Sequence, residues 1–470
     1  MHRAPLTPEI IEALKQVPRD QQLPPDAPER FVDEFVDALD FEALGFVERR
    51  RPNRHRPYPV GPLLKVVLFA AVVRIVGHRP LAEACKRDLG LLFLCNFDPP
   101  KKSTIWRFWR DFHPALSRVF SILVRLAAEA GLVGMELHAL DGTKIRAASS
   151  MHTAVHRDGE EKKLKQLKKL IEKLEDRSSA LPVAQLRFLQ ERAEAQLQQT
   201  LDRIALLDKH NTKHIHPNEP DARVMKCDPR RLFAYNAQAV VDHESDLIVA
   251  IGLTAEEQDH GQLVPMLEQT ERVLGAVAEL TDVDTGYISG PQLHEANKKH
   301  LPVLGPVQPE WDKSLLPKSS FAYDAERDVV VCPRGEDLPL EDRRKMSKDA
   351  PCETAIYRCH NNECPERPGC TDDRRGRTVK RTPFDDDLEQ HRELLTKPAM
   401  RNLYDLRKEI VEHIFGCIKS NDKFRRFTMR GLAKAFAQWA LACIALDLRK
   451  LYQAWTTGLF RLPSRALAHA

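Results

Sequence analysis

The chain has 470 residues, of which 42% are hydrophobic and 30% charged, so it reads as a soluble globular protein long enough for two or three domains with a well-buried core. The opening MHRAPLTPEII lacks the apolar segment of a secretory signal, and the longest apolar run, LLKVVLFAAVV at 63–73, contains Lys65 and is too short to cross a bilayer; both exclude a membrane role and place the protein in the cytoplasm. The net charge of +4 does not by itself announce a polyanionic partner, but it is unevenly spread.

Three basic clusters stand out: Arg49, Arg50, Arg51, Arg54 and Arg56; the run from Arg374 to Arg381; and the stretch from Lys419 to Arg430. Each alone reads as a solvated face. Together they suggest a polyanion touched at several places, as in phosphate-backbone binding.

In chain order, residues 1–30 are rich in proline and charge and are expected to be only partly ordered. Residues 31–126 read as helical, with GPLLKVVLFAAVVRIVG, RPLAEACKRDLGLLFL and KKSTIWRFWRDF as three helices, Pro62 in the first turn of the first and Ser103 or Thr104 capping the third. A basic, tryptophan-containing third helix fits a helix-turn-helix-like DNA-binding unit with Arg107 and Arg110 on it; a plain helical bundle fits nearly as well.

Leu137, Ala139 and Leu140 then predict a strand that runs into Asp141-Gly142. Residues 157–209 form a highly charged insert in which Leu164, Leu167, Ile171 and Leu174, and after a break at SSALP Leu186, Leu189, Ala193, Leu197 and Ile204, repeat at helical intervals, predicting a helical hairpin. LFAYNAQAVVD at 232–242 and LIVAIGLTA at 247–255 flank the turn HESD and predict a β-hairpin, followed by the helix GQLVPMLEQTERVLGAV and a strand in AELTDVDTGY. Three antiparallel strands joined through a helix to a fourth beside the first is the order of an α/β, ribonuclease-H-like mixed sheet.

In that arrangement the fourth strand ends at Asp284, again an acid followed closely by a glycine, and lies beside Asp141. Two carboxylates so close repel unless a cation sits between them. A third acid is expected from the helix 406–419, where Glu412 borders a core stripe of Val411, Ile414, Phe415 and Ile418 and shares its side with Lys408 and Lys419.

The segments HALDGTKIRA, PDARVMK, YNAQAVVD, VDTGY and RKEIVEHIFGCIKSNDKFRRFTMRGLAKAFAQWALACIALDLRKL resemble those of bacterial insertion-sequence transposases of the DDE type, from near Phe31 to about Leu451. The resemblance implies a ribonuclease-H-like catalytic domain over 130–455, interrupted by the hairpin 157–209 and a Cys-rich insert 325–385, with a tail at 456–470. It places the catalytic and metal-binding triad on Asp141, Asp284 and Glu412, holding Mg2+ or Mn2+. The implied activity is cleavage at the inverted ends of the protein's own element and joining of 3' ends to target DNA, by a protein that is at least a dimer on DNA. The helix signature of the family has a Tyr and an Arg before the Glu and a Lys seven residues after it. Lys419 matches, Lys408 stands where Arg is usual, and Tyr404 and Arg407 are one place early, which leaves Glu409 as an alternative to Glu412. Lys408, Lys419, Arg407, Arg425 and Arg426 are the DNA-binding candidates of this block. A repressor-like protein that kept DNA binding but lost catalysis, and a metal-dependent nuclease without strand transfer, are the rival readings.

Ten cysteines in a cytosolic chain argue against a disulfide framework. Cys332, Cys359, Cys364 and Cys370 cluster amid Pro, Gly and charged residues expected to build no core, and four thiolates from short loops suit a structural Zn2+, with Cys352 or His360 as substitutes.

Overall fold

The computed structural model describes residues 7–47, 57–176, 182–227, 229–308, 315–348 and 350–463. The basic cluster 49–56 lies outside them. The N-terminal helices are α1 (Pro8–Gln16), α2 (Pro28–Asp37), α3 (Val60–Val72), α4 (His78–Ala84), α5 (Leu89–Leu94), α6 (Lys102–Phe112) and α7 (Ala115–Glu129). α3 is buried on every side, as its unbroken apolar run requires. Its Lys65 is buried yet paired with Asp33 at 2.7 Å and Asp37 at 2.6 Å on the neighbouring helix. The second helix expected in this region is two, because Asp88 accepts a hydrogen bond from the Leu91 amide at 3.0 Å and starts a new helix. α6 begins after Lys101 without a side-chain cap, so neither Ser103 nor Thr104 plays that part.

β1 (Leu137–Arg146) leads through β2 (Val155–His156) into α8 (Arg157–Asp176) and α9 (Val183–Lys209), which pack along Leu174, Leu186 and Ala193. β3 (His214–Ile215) returns to pair with β2, His156 directly opposite His214. Next come β4 (Arg223–Cys227), β5 (Arg230–Asp242), β6 (Ile248–Thr254), α10 (Leu263–Leu274), β7 (Leu280–Val283), α11 (Gly290–Lys298) and β8 (Val303–Leu304). β5 is central to three antiparallel pairings, with β1, β4 and β6, while β7 runs parallel to β1 and β8 parallel to β7. Every residue of β5 from Phe233 to Asp242 is buried, so helices cover the sheet on both faces.

The region expected to build no core does build a small one. β9 (Ala322–Asp324), β10 (Val329–Val331), β11 (Asp337–Arg344), β12 (Thr354–Arg358) and, after the short α12 (Arg367–Cys370), β13 (Thr378–Arg381) form a five-stranded antiparallel sheet. Phe321, Val330, Leu338, Ala355, Tyr357 and Val379 are buried on it. Single valines and aromatics at alternate positions between charged residues supply this face, a two-residue periodicity masked by the flanking Pro and Gly. α13 (Asp385–Leu394), α14 (Pro398–Gly416) and α15 (Leu432–Thr456) complete the chain. α14 packs on β1, β5 and β7, and α15 packs on β6, α7, α3 and α2. Beyond it Phe460 is buried against Phe31, so the tail is anchored at that point.

Candidate active site

The β1–β7 register pairs Leu140 with Val283, which sets the next residue of each strand side by side: Asp284 just past the end of β7, and Asp141 in the middle of β1, which does not stop at the acid as expected but runs on to Arg146. Both carboxylates face one guanidinium. Arg407 of α14 places Nη1 3.3 Å from Asp141 Oδ2 and Nη2 3.8 Å from Asp284 Oδ1, with the Tyr404 ring 5.8 Å away. Its side chain is 9% exposed, so it is held at the acids and not presented to solvent or DNA, contrary to the expectation for this residue. Burial pushes the Asp141 carboxyl up to about 6; Asp284 and Asp259 push the same way, while the Gly142 amide and Arg407 oppose. Asp282, two residues before Asp284 and therefore on the same face of β7, is fully buried with neither oxygen hydrogen-bonded. Burial raises its carboxyl to about 7 against the pull of Arg407.

α14 turns Arg407, Ile410, Val411, Ile414 and Phe415 inward. Glu412 follows Arg407 by five residues, about 140° around an α-helix, and is exposed; among the described residues it makes no side-chain hydrogen bond or ion pair. Lys408 and Glu409 are exposed as well. The expected alignment of Lys419 with Glu412 is altered because the helix continues as a π-turn over Cys417–Asn421, closed by the Asp422 amide on the Cys417 carbonyl at 3.0 Å. Lys419 is half-buried in that turn. Burial lowers its ammonium pKa; Cys227 and Asp141 raise it, and Arg425 and Lys144 lower it further. Thus the structure gathers Asp141, Asp284 and Arg407, with Lys419 within electrostatic range of Asp141, and leaves Glu412 outside this group.

Residues 17–111 match the family described as Transposase domain (DUF772), and residues 331–452 match the family described as Transposase DDE domain. The two matches indicate an insertion-sequence DDE transposase. No curated protein matches it. The second match contains Arg407, Glu412 and Lys419, whereas Asp141 and Asp284 fall between the two matched spans and converge on them only in the fold.

The other basic candidates of the transposase divide into two kinds. On α6, Trp106 is 47% exposed, Arg110 lies 5.5 Å over its ring, and Arg107 is exposed beside them. By contrast, Arg425 donates to the Lys419 carbonyl at 2.9 Å, and Arg426 donates to the carbonyls of Ala147, at 3.3 Å, and Ala148, at 2.5 Å, tying the loop after the π-turn to the end of β1. In the run 374–381, Arg377 bonds the Cys370 and Leu316 carbonyls at 3.0 and 2.8 Å, and Arg381 is buried against Asp386 and Glu389. Two of the five basic residues of that cluster are therefore structural.

Cys332, Cys359 and Cys370 border the small sheet core. The Cys370 thiol is raised by burial; Arg377 opposes, and Cys359, Cys364 and Cys332, each within electrostatic range of it, add to the rise. Among the described residues, no three His, Cys, Asp or Glu side chains are arranged closely enough to hold a metal ion as they stand. No helix among the described residues is long and apolar enough to cross a membrane.

Two residues beside the paired acids were not expected there. Arg407 looked DNA-facing because its register follows a shifted signature. Asp259, in the polar loop AEEQDHG, carried no local signal, although its charge reaches Asp141.

Proposed function

We propose that this transposase binds the inverted ends of its own mobile element, cleaves a phosphodiester there and joins the freed 3' ends to target DNA on a ribonuclease-H-like sheet. The observation that carries the reading is the meeting of Asp141, in the middle of β1, and Asp284, just past β7, around the buried Arg407. The sheet order β6, β5, β1, β7, β8, antiparallel on one side of β1 and parallel on the other, supports the fold. The support for the third acid differs: Glu412 rests on the helix signature of the family, not on contact with the two aspartates.

The paired acids suit a hard divalent cation, since crowding and burial already hold Asp141 above the ordinary carboxylate range. Asp141 and Asp284 would hold Mg2+ or Mn2+, with Glu412 assigned as the third ligand by the helix signature of the family, and the ion would supply activation of the attacking hydroxyl and neutralisation of the departing oxygen. The protein groups do the rest. Arg407 offsets the repulsion of the two aspartates and keeps both carboxylates turned to one point. Lys419 and the exposed Lys408 provide positive charge for the scissile strand, and Arg107, Arg110 and Trp106 of α6 provide a basic, aromatic face for the element end. The assay uses a supercoiled plasmid carrying the DNA that flanks this reading frame. Wild-type protein with Mg2+ should give nicked and then strand-transfer products, and Asp141→Asn or Asp284→Asn should give neither while retaining end binding. Binding without any nicking by wild type would establish the repressor-like reading, and nicking without joining the nuclease reading.

We also propose that Cys332, Cys359, Cys364 and Cys370 close on one structural Zn2+. The core cluster of the sheet they border holds six buried apolar residues among those described, a core too small to stand without a staple, and the other three thiols lie within electrostatic range of Cys370. Metal analysis of thiol-protected protein should return about one zinc per chain, as a four-cysteine site predicts; none would end the proposal.

A further inference from the structure

A glycine follows Asp141 directly and Asp284 two residues on, and both glycines, Gly142 and Gly286, back onto a third carboxylate. A Cβ at Gly142 would meet Gln238 Nε2 at 2.5 Å, Asp259 Oδ1 at 2.6 Å and Asn236 Oδ1 at 2.9 Å; one at Gly286 would meet Asp259 Oδ2 at 3.6 Å. Asp259 itself accepts hydrogen bonds on Oδ1 from Asn236 Nδ2 at 2.7 Å and Gln238 Nε2 at 2.8 Å, and its Oδ2 lies 3.4 Å from Lys144 Nζ. Gln238 in turn accepts from the buried Tyr287 hydroxyl, which belongs to the turn after Asp284. Its backbone carbonyl accepts from Trp439 Nε1 at 3.1 Å.

These groups are arranged by register. Gly142 and Lys144 lie on β1 opposite Gln238 and Asn236 of β5, all on the face away from Asp141. One carboxylate thereby ties the strand that carries Asp141 to the turn that carries Asp284. In this network, among the described residues, Asn236 Oδ1 alone lacks a partner; such a connected network rigidifies what it joins, and partners behind metal-binding side chains govern how those side chains are aimed.

We infer that Asp259 is a positioning residue of the transposase: it sets the backbone at Gly142 and Tyr287 so that the Asp141 and Asp284 carboxylates converge. It acts through its amide and lysine neighbours and is no ligand itself, since both its oxygens are already engaged. This rests on the proposed two-aspartate site and adds what aims it.

The test uses the full chain and two readouts. Mn2+ binding to protein alone is followed by electron paramagnetic resonance, and nicking of the flanking-DNA plasmid is followed over a Mg2+ titration. Asp259→Asn should weaken Mn2+ binding, and raise the Mg2+ needed for half-maximal nicking, by about 10- to 100-fold, with melting temperature and DNA binding unchanged. Gly142→Ala, which pushes on the same cluster from β1, should reproduce the shift. Metal dependence equal to wild type in a folded Asp259→Asn protein would overturn the inference; so would activity lost only in proportion to the folded fraction, with the Mg2+ midpoint unmoved. Should Asp141→Asn leave Mn2+ binding and nicking intact, the site itself is wrong; that outcome is separate, because it does not involve Asp259.

Discussion

Arg407 is the residue that most changes the picture of this site. Its buried guanidinium stands 3.3 Å from Asp141 and 3.8 Å from Asp284, so it neutralises part of a crowded negative charge. Removing one partner of such a buried group costs more than the pair contributes, because the remaining charges stay unpaired. Arg407→Ala should therefore lower stability by about 3–5 kcal/mol, read as a shift in denaturation midpoint, and Arg407→Lys should recover only part of it. An Arg407→Ala protein as stable as wild type would place the guanidinium in solvent. The glutamate assignment is decided at the same scale: Glu412→Gln should abolish magnesium-dependent nicking and Glu409→Gln should leave it near wild type, with the reverse pattern exchanging their roles. That Asp141 and Asp284 stand side by side was legible from the strand order, which sets β1 beside β7, although the Asp-Gly pair did not end β1 as expected. Arg407 and Asp259 were not legible, because their roles depend on which side of α14 faces the sheet and on a loop that meets β1 from across β5.

At the scale of elements, the sheet and helices near the acids follow their periodicities, while two departures have local causes. The capping Asp88 divides α4 from α5, and the π-turn after α14 moves Lys419 out of the alignment an uninterrupted helix would give it. α15 raises a different question, because an apolar helix buried along its length carries Asp447 in full burial, bonded by the Ile248 amide at 3.1 Å through one oxygen only. Burial lifts that carboxyl from 3.8 to about 8, against the Ile248 amide and the cations Lys450 and Arg449. A carboxyl whose folded pKa is raised binds its proton more tightly when folded. Its stabilising contribution is full below the unfolded pKa and is lost as pH rises through the folded one. Asp447→Asn cannot ionise, so its melting temperature should exceed that of wild type increasingly from about pH 4 to pH 8 and by a constant margin above. Equal pH profiles for the two proteins would show that Asp447 ionises freely in the fold.

In the whole molecule, the helical N-terminal region is continuous with the catalytic core. Phe31 of α2 meets Tyr452, Trp455 and Phe460, with ring centroids 6.1, 5.7 and 6.2 Å away, and Asp422 after the π-turn binds both Arg74 and Arg449. Phe31→Ala should therefore cost about 3–5 kcal/mol and lower a single melting transition of the full chain; a separate early transition would show that the N-terminal helices unfold alone. The same economy appears in how the long insert is carried. Because β2 and β3 pair at its base, with His156 opposite His214, the arm of α8 and α9 leaves and re-enters the body at one point. In chain statistics the residues between β1 and β5 then count as a short loop, since the entropy of closing it is set by the pinched ends and not by the length of the arm. Strand β1 can find β5 early, before the more distant β7 arrives to complete the acid pair. Replacing residues 157–213 by an Asn-Gly turn between His156 and His214 should accordingly leave the refolding rate and Mn2+ binding of the core unchanged, whereas cutting the β2–β3 pair with the arm intact should slow refolding.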